Sequence, residues 1–140
     1  MLAGITLWKL LSKAEVPEDE SEIPEGAKCT DDLDCVLLTS PPSYFSQIAR
    51  LAASEKGLKW KHFVVDHLKL ENAKPWYVKL NPGAYVPTML VKGNKPVCES
   101  MDIVKYIDSK FKGKRQLDKE IKANSSVKER YDIFMDLTSK

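Results

Sequence analysis

Residues 81–100 read Asn-Pro-Gly-Ala-Tyr-Val-Pro-Thr-Met-Leu-Val-Lys-Gly-Asn-Lys-Pro-Val-Cys-Glu-Ser, and their order leaves little freedom to the fold around them. A Val-Pro bond stands directly before an apolar run at 88–91. A tight turn at Gly93-Asn94 separates that run from a second one at 96–98, so the two pair as a hairpin. Glu99-Ser100 then opens a helix. Cis peptide bonds are essentially confined to proline, and a cis Val86-Pro87 bond presents the N–H and C=O of Val86 to a ligand. Glu99 and Ser100 add a carboxylate, a hydroxyl and free N–H groups at the positive end of a helix dipole. Such a site suits the amino-acid end of a small peptide.

Upstream, 35–39 is a short apolar run of the kind that forms a buried strand. Ser40-Pro41-Pro42-Ser43 reads as a loop, since proline restricts itself and the residue before it. Phe45, Ile48, Ala49 and Ala52 recur at helical spacing, and Gly57 stands where a C-terminal helix cap belongs. Residues 60–66 read as a second strand, which makes a right-handed parallel crossover with the first. The stretch 68–80 is irregular or loosely helical. Ile103, Val104, Ile107 and Phe111 mark one face of a closing helix. The fold class is α/β: a mixed sheet built as βαβ then ββα, with helices on both faces.

The chain has 140 residues, 43% hydrophobic and 30% charged, with a net charge of +2. That is the length of one domain with extensions. Its mixed charges give no basic stripe for nucleic acid. Cys29, Cys35 and Cys98 have no metal-ligand or CxxC spacing, and His62 and His67 are isolated, so no metal is expected. An odd cysteine count fits a reducing compartment, and the location expected is cytoplasmic. Residues 1–13 place Leu2, Ile5, Trp8 and Leu11 on one helical face. They are too short for a membrane span and read as a packing arm, with a membrane-surface or organelle anchor as the alternative. Residues 15–25 are acidic and broken by Pro17 and Pro24, a linker composition. Three segments follow: an arm and linker over 1–33, a folded domain over 34–112, and a linker with a first further helix over 113–140.

Four motifs in order, Ser43-Tyr44-Phe45-Ser46-Gln47-Ile48-Ala49-Arg50-Leu51, Pro75-Trp76-Tyr77, Asn81-Pro82 with Val86-Pro87, and Glu99-Ser100, carry a resemblance over about 35–112. The chain resembles the thioredoxin-like N-terminal domain of glutathione transferases. The flavour is omega- and zeta-like, and is similar to the ganglioside-induced differentiation-associated proteins. The resemblance implies glutathione as co-substrate. Ser43 then faces its sulfur as the catalytic hydroxyl, in the place where thioredoxins carry their first redox cysteine. A hydrogen bond to the sulfur, with the helix N-terminus behind it, favours the reactive thiolate. Ser43 also suits a plain helix cap. Tyr44 is the second candidate, Ser46 another sulfur partner, and Tyr85 a wall residue. Val86, beside a cis Pro87, offers its backbone to the cysteinyl part in the manner of an added strand. Glu99 and Ser100 hold the γ-glutamyl end, or serve as a helix-start pair. Leu80, after Lys79, occupies a position that is basic in some relatives. Arg50 is expected in a structural ion pair, and Trp60 and Trp76 in packing.

The resemblance ends where glutathione transferases continue into a long all-helical domain. Here Ser126 and Glu129 resemble a capping box, and Val127, Tyr131, Phe134 and Met135 form one apolar helical face. Two functions follow. One is a glutathione transferase that activates the thiolate against an electrophile. The other is a catalytically silent module of a larger assembly. Either leaves apolar faces for a homodimer or another protein partner.

Overall fold

Strand β1, Cys35–Thr39, is buried along its whole length, because it lies inside the sheet and is covered on both faces. This computed structural model describes residues 22–113 and 116–138. The arm over 1–13 lies outside the described residues. Helix α1 follows at Tyr44–Lys56, then β2 at Trp60–Val64, α2 at Pro75–Leu80, β3 at Thr88–Val91, β4 at Lys95–Cys98 and α3 at Ser100–Lys110. Two further helices, α4 at Leu117–Ala123 and α5 at Ser125–Thr138, end the described chain.

The sheet order is β2-β1-β3-β4. β1 and β2 are parallel, whereas β3 runs antiparallel to both β1 and β4. The start of the parallel pair is locked by reciprocal bonds. Asp34 N–H donates to the Lys59 carbonyl at 2.7 Å, and Lys59 N–H donates to Asp34 Oδ2 at 2.7 Å. The second strand ends at Val64, short of Asp66. Asp66 instead caps a 3₁₀ turn, its carboxylate accepting from the N–H groups of Leu68 and Lys69.

Alternation along β1 divides the core. Cys35 and Leu37 pack with Met89 under α1 and α3, against Ala49, Ala53, Ile103 and Ile107. Val36 and Leu38 pack with Leu90 on the other face, against Trp76 and Tyr77 of α2. Each fully buried Leu or Ile contributes about 1.5–3 kcal/mol. The second layer extends further upstream than Leu33, because Ile23, Ala27 and Cys29 pack into it. Trp76 is buried in edge-to-face contact with Phe63 and Tyr77.

Local stops are where chemistry requires them. Gly57 ends α1 at φ 72°, the left-handed region that glycine enters without a Cβ penalty. The β3–β4 hairpin closes through three residues, since Val91 pairs with Lys95. Gly93 and Asn94 within it both have positive φ. Asn94 Oδ1 accepts from the N–H of Cys29 at 2.7 Å and so ties the hairpin to the N-terminal segment. Lys56 Nζ meets Asp108 Oδ1 at 2.8 Å, with 4% and 12% of their side chains exposed, and joins the ends of α1 and α3.

Two local expectations change. Among the described residues Arg50 meets no carboxylate; its guanidinium reaches Gln47 Oε1 at 3.5 Å, its neighbour one turn back. Helix α5 starts one residue ahead of Ser126, because Asn124 Oδ1 accepts from the N–H groups of Ser126 and Val127 and takes the capping role.

Candidate functional site

One row of the sheet register brings the three motif segments together. Leu38 pairs with Thr88, and Thr88 pairs with Cys98. The C-terminal end of β1, the N-terminal end of β3 and the C-terminal end of β4 therefore lie side by side. From these ends spring the Ser40–Ser43 turn, the Val86-Pro87 bond and the Glu99-Ser100 helix start. Segments up to 57 positions apart, Ser43 and Ser100 being the extremes, meet at one end of the sheet.

Ser43 is the N-cap of α1, and its Oγ accepts from the N–H of Ser46 at 3.2 Å. A hydroxyl that accepts this bond still has its own proton to donate. Ser43 is partly exposed, whereas Ser46 is fully buried with its Oγ accepting from the N–H of Ser40 at 3.2 Å. Ser46 is thus a structural member of the turn and is set back from the surface. Tyr44 is 64% exposed and stacks edge-to-face with Phe45 at 5.7 Å. It stands beside Ser43 without sharing its hydrogen bonds. Tyr85 is also exposed.

The Val86-Pro87 peptide bond is cis. Among the described residues no hydrogen bond uses the N–H or C=O of Val86. The loop carrying it is held by a buried polar hub. Tyr77 Oη donates to the Tyr85 carbonyl at 2.6 Å and lies 3.0 Å from Thr88 Oγ1. Asn81 Nδ2 donates to the same two acceptors, each at 3.0 Å, and Asn81 Oδ1 accepts from the N–H of Gly83. Asn72 Nδ2 donates to the carbonyl of Ala84 at 3.0 Å. Burial pushes the Tyr77 hydroxyl up to about 12, so it is a proton donor throughout the neutral range. Tyr77 and Asn81 belong to the motifs read from the sequence, but their role with Thr88 in holding this loop was not read there. The available signal was a tyrosine and an asparagine four residues apart, both required to be buried by the apolar pattern around them.

Glu99 has φ 67° and an exposed side chain, and it makes no side-chain capping bond to α3. A non-glycine residue in the left-handed region is uncommon, and such residues cluster at functional sites. Ser100, the first residue of α3, is 8% exposed. The helix start therefore carries a carboxylate that is not used up as a cap. Cys98, one residue earlier, donates its thiol to the Leu80 carbonyl at 3.5 Å. Burial raises its pKa, opposed by a hydrogen bond with Thr88.

Chemically, this sheet end offers a hydroxyl at a helix N-terminus, an unpaired backbone edge at Val86, and an exposed carboxylate beside a second helix N-terminus. A short peptide with a free ammonium and a carboxylate at one end complements that set.

Residues 42–110 match the family model described as glutathione S-transferase, N-terminal domain. Glutathione S-transferase U22 of Arabidopsis thaliana is 33% identical over 84 residues, which cover 60% of this chain and 37% of that protein. Ganglioside-induced differentiation-associated protein 1-like 1 of Homo sapiens is 30% identical over 106 residues, 74% of this chain and 29% of that protein. A crystal structure of a glutathione transferase from Phanerochaete chrysosporium with oxidized glutathione is similar with a TM-score of 0.55 and 25% identity, over 59% of this chain and 38% of its own. The chain spans little more than a third of the length of the plant relative. The sheet with its helices α1 to α3 is a thioredoxin-like N-terminal domain, and that domain belongs to the glutathione transferase superfamily.

Proposed function

We propose that this domain binds glutathione at the sheet end shared by Ser43, Val86, Pro87, Glu99 and Ser100, and activates its thiolate for attack on an electrophile. The register row Leu38–Thr88–Cys98 supports this reading, because it gathers three separate motif segments into one place. In this reading the cysteinyl backbone pairs with Val86, whose N–H and C=O have no other partner among the described residues. Pro87 sets the direction of that edge. Glu99 meets the γ-glutamyl ammonium, while Ser100 and the first N–H groups of α3 meet its carboxylate. Ser43 donates its remaining proton to the sulfur, which favours the thiolate and speeds nucleophilic attack. Three free cysteines, Cys29, Cys35 and Cys98, support a reducing, cytoplasmic setting.

Titrating glutathione into the labelled chain while following amide shifts tests this. Shifts centred on Ser43, Val86 and Ser100 at millimolar ligand are expected. No response, or one centred elsewhere, would sink the proposal.

The second reading is a catalytically silent module held by a partner, either a second copy or another protein. Its support is the apolar surface of α5, where Val127 and Ile133 are 44% and 55% exposed. Tyr131 instead lines a groove against Val104 of α3; the side chains of Phe134 and Met135 lie outside the described set. Light scattering decides here. Association, together with glutathione binding but no turnover, would favour this role; an active monomer would exclude it.

A further inference from the structure

Ser40 is the buried joint of the turn that carries Ser43. It directly follows β1, is 4% exposed, and commits every polar group it has. Its N–H donates to Ser46 Oγ at 3.2 Å, and its carbonyl accepts from the N–H of Ser43 at 3.0 Å. Its hydroxyl lies 2.9 Å from Nδ1 of His67. The first two bonds shape the turn from inside. The third is the link that anchors it to a different part of the chain.

His67 is well placed to be that anchor. It opens the 3₁₀ turn at His67–Lys69, which is braced by local hydrogen bonds. Asp66 Oδ1 accepts from the N–H groups of Leu68 and Lys69. The Asp66 N–H donates to Glu71 Oε2 at 2.8 Å, and the Glu71 N–H donates back to the Asp66 carbonyl at 3.0 Å. One residue earlier, the Val65 N–H donates to the Thr39 carbonyl at 2.8 Å, so the connector after β2 runs alongside the end of β1. The imidazole continues that pairing with a side-chain bond onto Ser40. A buried hydroxyl without a partner is costly, which gives the Ser40 side chain a strong reason to keep this contact. Although the ring is on an exposed residue, its effect is directed inward.

We infer that His67 is a positioning residue for Ser43, holding through Ser40 the turn that presents the Ser43 hydroxyl. The inference rests on the glutathione reading for its functional consequence, and on the hydrogen bonds above for its structural one. His67 touches neither ligand nor reacting atoms in this role.

The test uses His67→Leu and His67→Asn in the full 140-residue chain, with His62→Leu as a control on the exposed part of β2. Asparagine places an amide where Nδ1 was, so it restores the bond to Ser40. Two quantities are read: hydrogen exchange at the amides of Ser43 and Ser46, and the glutathione concentration that half-saturates the amide shifts. His67→Leu is expected to speed exchange at both amides and to weaken glutathione about fivefold to tenfold, the equivalent of one lost hydrogen bond. His67→Asn should return both toward wild type, while His62→Leu changes neither. A merely structural residue would lower the unfolding midpoint without this selective rescue. Wild-type exchange in His67→Leu, or equal loss in the leucine and asparagine variants, would overturn the inference. If the wild-type chain ignores glutathione, the binding proposal fails, and the exchange measurement alone decides the role of His67.

Discussion

The hydroxyl of Tyr77 donates to the carbonyl of Tyr85 across 2.6 Å, reaching from the core side of α2 to the loop that carries Val86. Tyr77 is fully buried. The contact converts a packing residue into the support of the loop at the cis Val86-Pro87 bond, because Tyr85 immediately precedes Val86. Thr88 and Asn81 share the same hub, so the loop is held at both its ends.

Tyr77→Phe removes the donor while preserving the ring. It is expected to destabilise the chain by about 1–3 kcal/mol, the cost of a broken buried hydrogen bond. Urea unfolding measures this, and the amide of Val86 should shift in the folded variant. A wild-type midpoint would mean that Asn81 alone satisfies the Tyr85 carbonyl.

Ser43→Ala acts at two levels. Loss of the N-cap costs roughly 1 kcal/mol of stability. Loss of a hydrogen bond to a thiolate should lower a conjugation rate about tenfold to a hundredfold, with a smaller effect on glutathione affinity. Tyr44→Phe should change the rate little. Rates that respond to the second substitution but not to the first would reverse the assignment.

Lys56 and Asp108 form a nearly buried pair. Removing one partner deprives the other charge of its counter-ion at 2.8 Å, so Lys56→Met alone or Asp108→Asn alone is expected to cost about 3–5 kcal/mol. The double variant Lys56→Met with Asp108→Asn should recover part of that loss, which a double-mutant cycle in urea would quantify. Additive losses would show that the two side chains act independently.

Alkaline pH should weaken the fold. Burial raises the Cys35 thiol from its ordinary 9.0 to about 12, and the Tyr77 hydroxyl from 10.0 to about 12. Both groups are protonated in both states below about pH 9, so this stabilisation is fully present there. Above that, the unfolded chain releases protons that the folded chain retains, and stability falls until the folded values are passed. Each group contributes up to about 1.4 kcal/mol per pH unit within its own window. Urea midpoints between pH 8 and pH 11 provide the check, and Cys35→Ala should flatten the early part of the decline.

Short-range features were legible because they depend on neighbouring residues. The apolar run of β1, the glycine that ends α1, the hairpin around Gly93-Asn94 and the proline after Val86 all announce backbone states that a few adjacent side chains enforce. The helical spacing of Ile103 and Ile107 similarly located the buried face of α3. Competing local donors and acceptors set the limit. Asn124 precedes Ser126 and captures the cap of α5, and Asp66 turns the chain before β2 can reach it.

The sequence by itself determined the order of the four strands with helices α1 and α3, the α/β class and the motifs that carry the family resemblance. Only the tertiary structure decided that Leu38, Thr88 and Cys98 share one row, that Tyr77 supports the Val86 loop, and that His67 reaches Ser40. The physical reason is separation. Helix periods, caps and turns are set within a few residues, whereas these pairings close over 8 to 50 residues and exist only once both faces of the sheet are buried.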